Sequence, residues 1–235
     1  SLIISGDLDV NDGTIKLDGN YPTGTGNVAL GDTALSSGSL SGAQNTAIGS
    51  GVMAANTSGT RNTAVGYQSL DANTEGDDNV AIGRRSLTIQ TTGNNNVAVG
   101  TQALALNQTG SDNTAVGTDS LLANTTGAEN VAVGSATLDA NTTGTRNVAV
   151  GNSALGAVTT GSNNTALGDR ALIVSTGQYN TAVGSDSLYS NTTGDNNVAI
   201  GRNTLNANTT ADYNTATGYH SLKLNTTGSE NAGYG

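Results

Sequence analysis

Few side chains in this 235-residue chain are of types that do chemistry, and those few stand apart from one another. His220 is the only histidine. No second His, Cys or acidic cluster lies at ligand spacing from it, so a surface residue is expected rather than a metal ligand. Asp77, Asp78 and Asp212 are candidate cation ligands, but the Gly-Gly-x-Gly-x-Asp pattern of calcium-binding rolls is missing, and they read as solvated loop positions. Sugar cleavage needs two carboxyls at a defined separation across a groove. Asp71 and Asp139 come nearest, sharing one repeat position four repeats apart. A row of threonines running from Thr92 to Thr227 could template water as an ice-binding surface does. A second Thr precedes most of them, however, and a strand would turn the two to opposite sides. Triplets such as Asn124-Thr125-Thr126 match a glycosylation acceptor and follow from the repeat itself. No catalytic, cofactor-binding or metal-binding residue is assigned, no cofactor is expected, and the chain is read as a non-enzyme.

What must position these residues is a short phrase, Asn-(Val/Thr)-Ala-(Val/Ile/Leu)-Gly, that returns thirteen times, with Thr217 at position 4 of the twelfth copy and Ala232-Gly233-Tyr234 inside the last. Its Asn falls at Asn27, Asn45, Asn62, Asn79, Asn96, Asn113, Asn130, Asn147, Asn164, Asn180, Asn197, Asn214 and Asn231. Ten of the twelve steps are 17 residues; the first is 18 and the step into Asn180 is 16. A fixed period of this length signals stacked units. Numbered from the Asn, position 3 is Ala in twelve copies and position 5 is Gly in all thirteen. Position 8 is small, position 9 is Leu in eleven of twelve copies with Met53 in the other, and positions 12 to 15 read Asn-Thr-Thr-Gly in the cleanest copies.

Positions 1 to 5 read as a short strand, with side chains 2 and 4 on one face and Ala on the other. The Gly at position 5 ends it at a bend. Leu at position 9 marks a second inward-pointing segment, and Asn-Thr-Thr-Gly is turn chemistry in which the Gly is expected at positive φ. Gly and β-branched residues in every copy work against helix. The expectation is an all-β parallel solenoid of 17-residue coils, stacked about 4.8 Å apart into a rod of roughly 58 Å. Stacking sets Asn over Asn, where buried amides bond coil to coil. The core should be thin and built from Val, Ile, Leu and Ala, because Phe, Trp and Cys are absent. Ala at position 3, opposite the Val/Ile face, is expected to admit another chain, and a lone rod would leave apolar faces and edges bare.

Eighteen acidic against eight basic residues argue against nucleic acid as a partner. No apolar run is long enough for membrane insertion, and Ser1 to Ser5 lacks the basic start of a signal peptide. Zero Cys excludes disulfides and thiolate metal sites. Arg61, Arg84, Arg85, Arg146, Arg170 and Arg202 flank the strand at positions 6, 7 and 17, where they would discourage edge pairing or meet acids of a neighbouring subunit. Tyr67, Tyr179, Tyr213 and Tyr219 lie in the same rows and suit sugars or interfaces equally.

Asn-Val-Ala-Ile-Gly at 79–83 and 197–201, followed three residues on by Ser86 or Thr204, resembles the head repeat of trimeric autotransporter adhesins. The resemblance covers residues 27–235 and implies a left-handed parallel β-roll forming an intertwined or side-by-side homotrimer. Leu at position 9, the Asn-Thr-Thr-Gly turn and the longer coil depart from that pattern. The longer form at 62–74, Asn-Thr-Ala-Val-Gly-Tyr-Gln-Ser-Leu-Asp-Ala-Asn-Thr, is similar to repeats of phage tail-fibre and appendage proteins, notably of phages infecting marine cyanobacteria. Residues 1–26 read as a hairpin-like connector around Asn11-Asp12-Gly13, a segment that often precedes such repeats.

The implied function is a virion fibre or appendage: a non-enzymatic spacer supporting host attachment. Its partners would be a homotrimer, other tail or fibre proteins, and a host-surface glycan or protein. The alternatives are the head of a bacterial surface adhesin and an ice-binding solenoid. Ser1 in place of Met and an array stopping five residues into a repeat suggest a piece of a longer protein. No receptor-binding residue is named. Function beyond length is expected where the repeat is least faithful: positions 6–7, 10–11 and 16–17, the short coil 164–179, and the rod ends.

Overall fold

The computed structural model describes residues 25–235; the connector's hairpin lies outside them. Thirteen three-residue strands, β1 (Val28–Leu30) to β13 (Ala232–Tyr234), pair in chain order as one parallel sheet. Register is strict: Val80, Ala81 and Ile82 lie opposite Val97, Ala98 and Val99. The described residues form a parallel β-solenoid of about twelve turns, one coil per repeat. The two odd-length coils hold this register. The 16-residue coil still sets Ala166 against Ala182, absorbing its missing residue outside the sheet. In the 18-residue coil, Ser41 bonds to the Thr57 carbonyl, which places Leu40 over Asn56.

The polarity of the strand is the reverse of the one expected from Val and Ile. Ala at position 3 is the buried residue, at 0% exposure from Ala47 to Ala216. Positions 2 and 4 look outward, half-buried or exposed, with Ile48 at 37% and Ile200 at 42%. Width is the reason. The opposite wall sends a Leu at position 9 into the interior, and Leu70, Leu87, Leu104 and their equivalents are fully buried. One Leu, one Ala methyl and a small residue at position 8 fill a coil this narrow, leaving no room for a Val or Ile from the strand. Each buried Leu contributes roughly 1.5–3 kcal/mol.

The wall carrying that Leu has a backbone the sequence does not announce. Residues at positions 7, 9 and 17 have positive φ, as at Gln68 (51°), Leu70 (51°) and Asp78 (58°). A left-handed Leu costs about 1 kcal/mol or more. In return, inter-coil N–H bonds run to both neighbours. The Arg85 N–H bonds back to the Tyr67 carbonyl at 2.9 Å, and the Leu87 N–H bonds forward to the Ala103 carbonyl at 3.0 Å.

Two columns of buried amides close the coil. At position 1, the Asn79 N–H donates to Asn62 Oδ1 (2.9 Å), while Asn79 Nδ2 reaches the Gly93 carbonyl (2.9 Å). At position 12, Asn124 Nδ2 donates to Asn107 Oδ1 (2.7 Å) and to the Gly127 carbonyl (2.9 Å). The glycine carbonyl at position 15 therefore accepts from both columns, as Gly76 does from Asn62 and Asn73. This glycine is not at positive φ. Space favours it, since a Cβ on Gly59 would sit 2.5 Å from Asn56 Oδ1 and 2.7 Å from Asn73 Nδ2 unless those amides shift.

The second column is interrupted, and its breaks have visible consequences. Val158 brings no donor, so Asn141 Oδ1 is buried without a partner. Gln90 donates to the Gly93 carbonyl and accepts from Asn96 and Asn107, leaving Asn73 Oδ1 unpaired.

A third column, at position 16, runs the other way. Asp77 Oδ1 accepts from the Thr60 N–H (2.7 Å), Asn94 Oδ1 from the Asp77 N–H (2.7 Å), and Ser111 Oγ from the Asn94 N–H (3.0 Å). It breaks at Ser111, because Ala128 offers no acceptor, and resumes where the Thr145 N–H donates to Ser162 Oγ (3.0 Å). Ala128→Asn is expected to restore the rung and raise the unfolding free energy by about 1 kcal/mol, read by denaturant titration.

The position-5 glycine combines both constraints. Gly66 has φ of 127°, and a Cβ there would lie 2.6 Å from the Gly83 carbonyl oxygen. Gly66→Ala is expected to destabilise the rod by about 3 kcal/mol in the same measurement, through strain and overlap with backbone.

Candidate functional site

The residues singled out from the sequence are placed coil over coil, and most are occupied in holding coils together. Asp78 receives Arg61 through both carboxylate oxygens, at 2.7 and 2.8 Å. This pairing holds the Asp78 carboxyl below its usual range. Asp77 accepts from the Thr60 N–H and hydroxyl, and Asp212 from the Asp195 N–H. Arg146 meets Glu129 at 2.9 Å and Arg170 meets Asp186 at 2.9 Å, each across one coil step. These three arginines are thus paired within their own chain. Exposed pairs of this kind stabilise little individually.

Threonines at position 13 turn their hydroxyls to the next coil's backbone: Thr57 to the Thr74 carbonyl (2.8 Å), Thr192 to that of Thr209 (2.9 Å). The row at position 14 is exposed, as at Thr92, Thr126 and Thr143. His220 stacks on Tyr219 with ring centroids 3.8 Å apart. Burial, Lys223 and Arg202 lower its pKa, and two neighbouring cations repel a metal ion. Among the described residues no group of three His, Cys, Asp or Glu could hold a metal.

Asp71 and Asp139 are half-buried on one wall. Four coil steps of about 4.8 Å set them roughly 19 Å apart, beyond the separation of about 5–9.5 Å used in glycoside hydrolysis. Burial raises both carboxyls, with Asp119 adding to the effect at Asp139.

Two surfaces are left free of such duties. The first is the outer face of the sheet, where positions 2 and 4 form two continuous rows of Val, Thr, Ile and Leu. It measures roughly 58 by 10 Å, on the order of 600 Å². Position 4 is apolar from Leu30 to Ile200, whereas position 2 is Thr in six strands; an unbroken apolar ridge on an exposed face marks an interaction site. Tyr67 and Tyr219 border it at position 6, and Tyr179 and Tyr213 at position 17, each more than half exposed. The second surface is a depression of about 280 Å³ lined by Arg85, Thr88, Ile89, Gln102, Ala105 and Leu106. It lies at positions 7, 10 and 11, rows in which the repeat is least faithful. Sequence reasoning named those rows but not the coils, since a depression depends on which odd residues stack. Compared with known protein families, curated proteins and solved structures, the chain matches none.

The raised carboxyls give a pH signature. A folded pKa above the unfolded one means that folding favours the protonated acid. The penalty is therefore full above the folded pKa and absent below the unfolded one. Asp71→Asn and Asp139→Asn are expected to raise the unfolding temperature at about pH 7 and to lose that gain near pH 3, in calorimetric scans at both.

Proposed function

We propose that this chain is a structural segment of a phage virion fibre or appendage, a stiff non-enzymatic rod that carries host attachment and assembles as a homotrimer. The observation that carries the reading is the outer sheet face. Twelve strands present outward-facing Val, Ile, Leu and Thr in two straight rows that end on Ala232 and Tyr234 of β13, and burying them against copies of the same face completes the core that a narrow coil lacks. Tyrosines and charges along the borders supply the rim of such an interface. Continuous coil-to-coil hydrogen bonding supports a role in length and stiffness. The phage assignment rests on the resemblance of residues 62–74 to tail-fibre repeats. The Asn-Val-Ala-Ile-Gly copies with buried Ser86 and Thr204 support a bacterial adhesin head as the second reading. A membrane-anchor domain encoded in the same polypeptide would favour the adhesin.

The solution mass tests assembly. Light scattering is expected to return three times the single-chain mass. Val97→Lys combined with Val131→Lys, both on the outer face, is expected to give a folded monomer with unchanged β circular dichroism. A wild-type chain that stays folded as a monomer would overturn the trimer.

A further inference from the structure

Two neighbouring coils, 79–95 and 96–112, leave the repeat together. Position 11 is Ala in six coils, Ala55, Ala72, Ala123, Ala140, Ala157 and Ala207, but Ile89 and Leu106 here. Their side chains and Ala105 floor the 280 Å³ depression, and Leu106 is 44% exposed. Arg84 and Arg85 are consecutive arginines of the first of these coils. Arg61, Arg146 and Arg170 all have carboxylate partners, whereas among the described residues no carboxylate lies within 4.0 Å of Arg84 or Arg85. Arg85 Nε instead donates to Gln68 Oε1 at 3.2 Å, which steadies the guanidinium at the rim and leaves its terminal nitrogens for a ligand. Gln102, one coil on in the row of Arg85, and Thr88, whose hydroxyl donates to the Arg85 carbonyl (2.6 Å) and can still accept, add polar groups to the lining.

An arginine with no carboxylate partner and terminal nitrogens free to donate as a pair fits a carboxylate brought by a ligand; the chain's net charge of −10 opposes anions at long range, so the attraction is local to this rim. The apolar floor calls for a ligand with a flat hydrophobic side. The volume, about 280 Å³, lies just below the usual range of ligand sites and suits a single sugar ring. We propose that this depression binds a carboxylate-bearing sugar. Arg85 holds the carboxylate, Gln102 and Thr88 meet ring hydroxyls, and the apolar face of the ring lies on Ile89 and Leu106. This rests on the attachment reading above and deepens it by naming the ligand class. A guanidinium–carboxylate contact carries specificity as well as strength, and its exposure makes binding fall with salt.

The test is calorimetric titration of the full chain with tetragalacturonate, a hyaluronan tetrasaccharide and sialyllactose. Fully methyl-esterified tetragalacturonate serves as the uncharged control. At least one acidic probe is expected to bind. Affinity should fall at least about tenfold in Arg85→Gln, with unchanged thermal unfolding. It should fall likewise in Ile89→Ala/Leu106→Ala, which merely restores the repeat's own residue and keeps the test open if the arginine variant misfolds. An ester that binds as well as its acid, an arginine variant that binds as well as the parent, or three silent probes would each overturn the site. Silence from a chain of trimeric mass removes the site and leaves the fibre reading standing. Binding by a monomer removes the trimer and leaves the site.

Discussion

An isolated coil of this chain would leave most of its backbone amides without partners, and two buried Asn side chains besides. Everything else in the structure depends on meeting those donors and acceptors from the coil before and the coil after. Buried polar groups left unpaired cost about 1–3 kcal/mol each, so each coil is stable only as part of a stack. The Asn columns are the most demanding component, because a carboxamide needs partners in two directions. Asn62 finds them in Asn45, Asn79 and Gly76. Glycine at position 15 follows from this, since its carbonyl must come close to two amides at once. The one Ala in that row, Ala211, still accepts from Asn197 and Asn208.

The same narrowness that brings amides together excludes large side chains. With a Leu entering from one wall, the strand wall can supply only a methyl group, and its β-branched residues are turned out. An apolar face thus arises from the geometry of the coil. A rod of this kind gains rigidity from repetition, and its exposed chemistry can vary only where the stack does not need the side chain. Ile89, Leu106, Arg84 and Arg85 occupy such positions, and they coincide in two successive coils.

The sequence alone determined the period, the all-β class, the parallel stacking, the inward Leu and the coil-to-coil Asn column at position 1. Each follows from residue type recurring at a fixed spacing, and strict recurrence has no other economical physical meaning. The tertiary structure decided which side of the strand faces in. Alternation says that positions 2 and 4 share a face, but only the width between the walls says which face. It also decided that Asn124 and its equivalents form a second buried column rather than a surface turn. Leu70 and its equivalents at positive φ carry no mark in the sequence, because Leu does not favour that region and closure of the coil imposes it. The depression beside Arg85 belongs to the same class: residues 17 apart become neighbours only after the chain has wound once around.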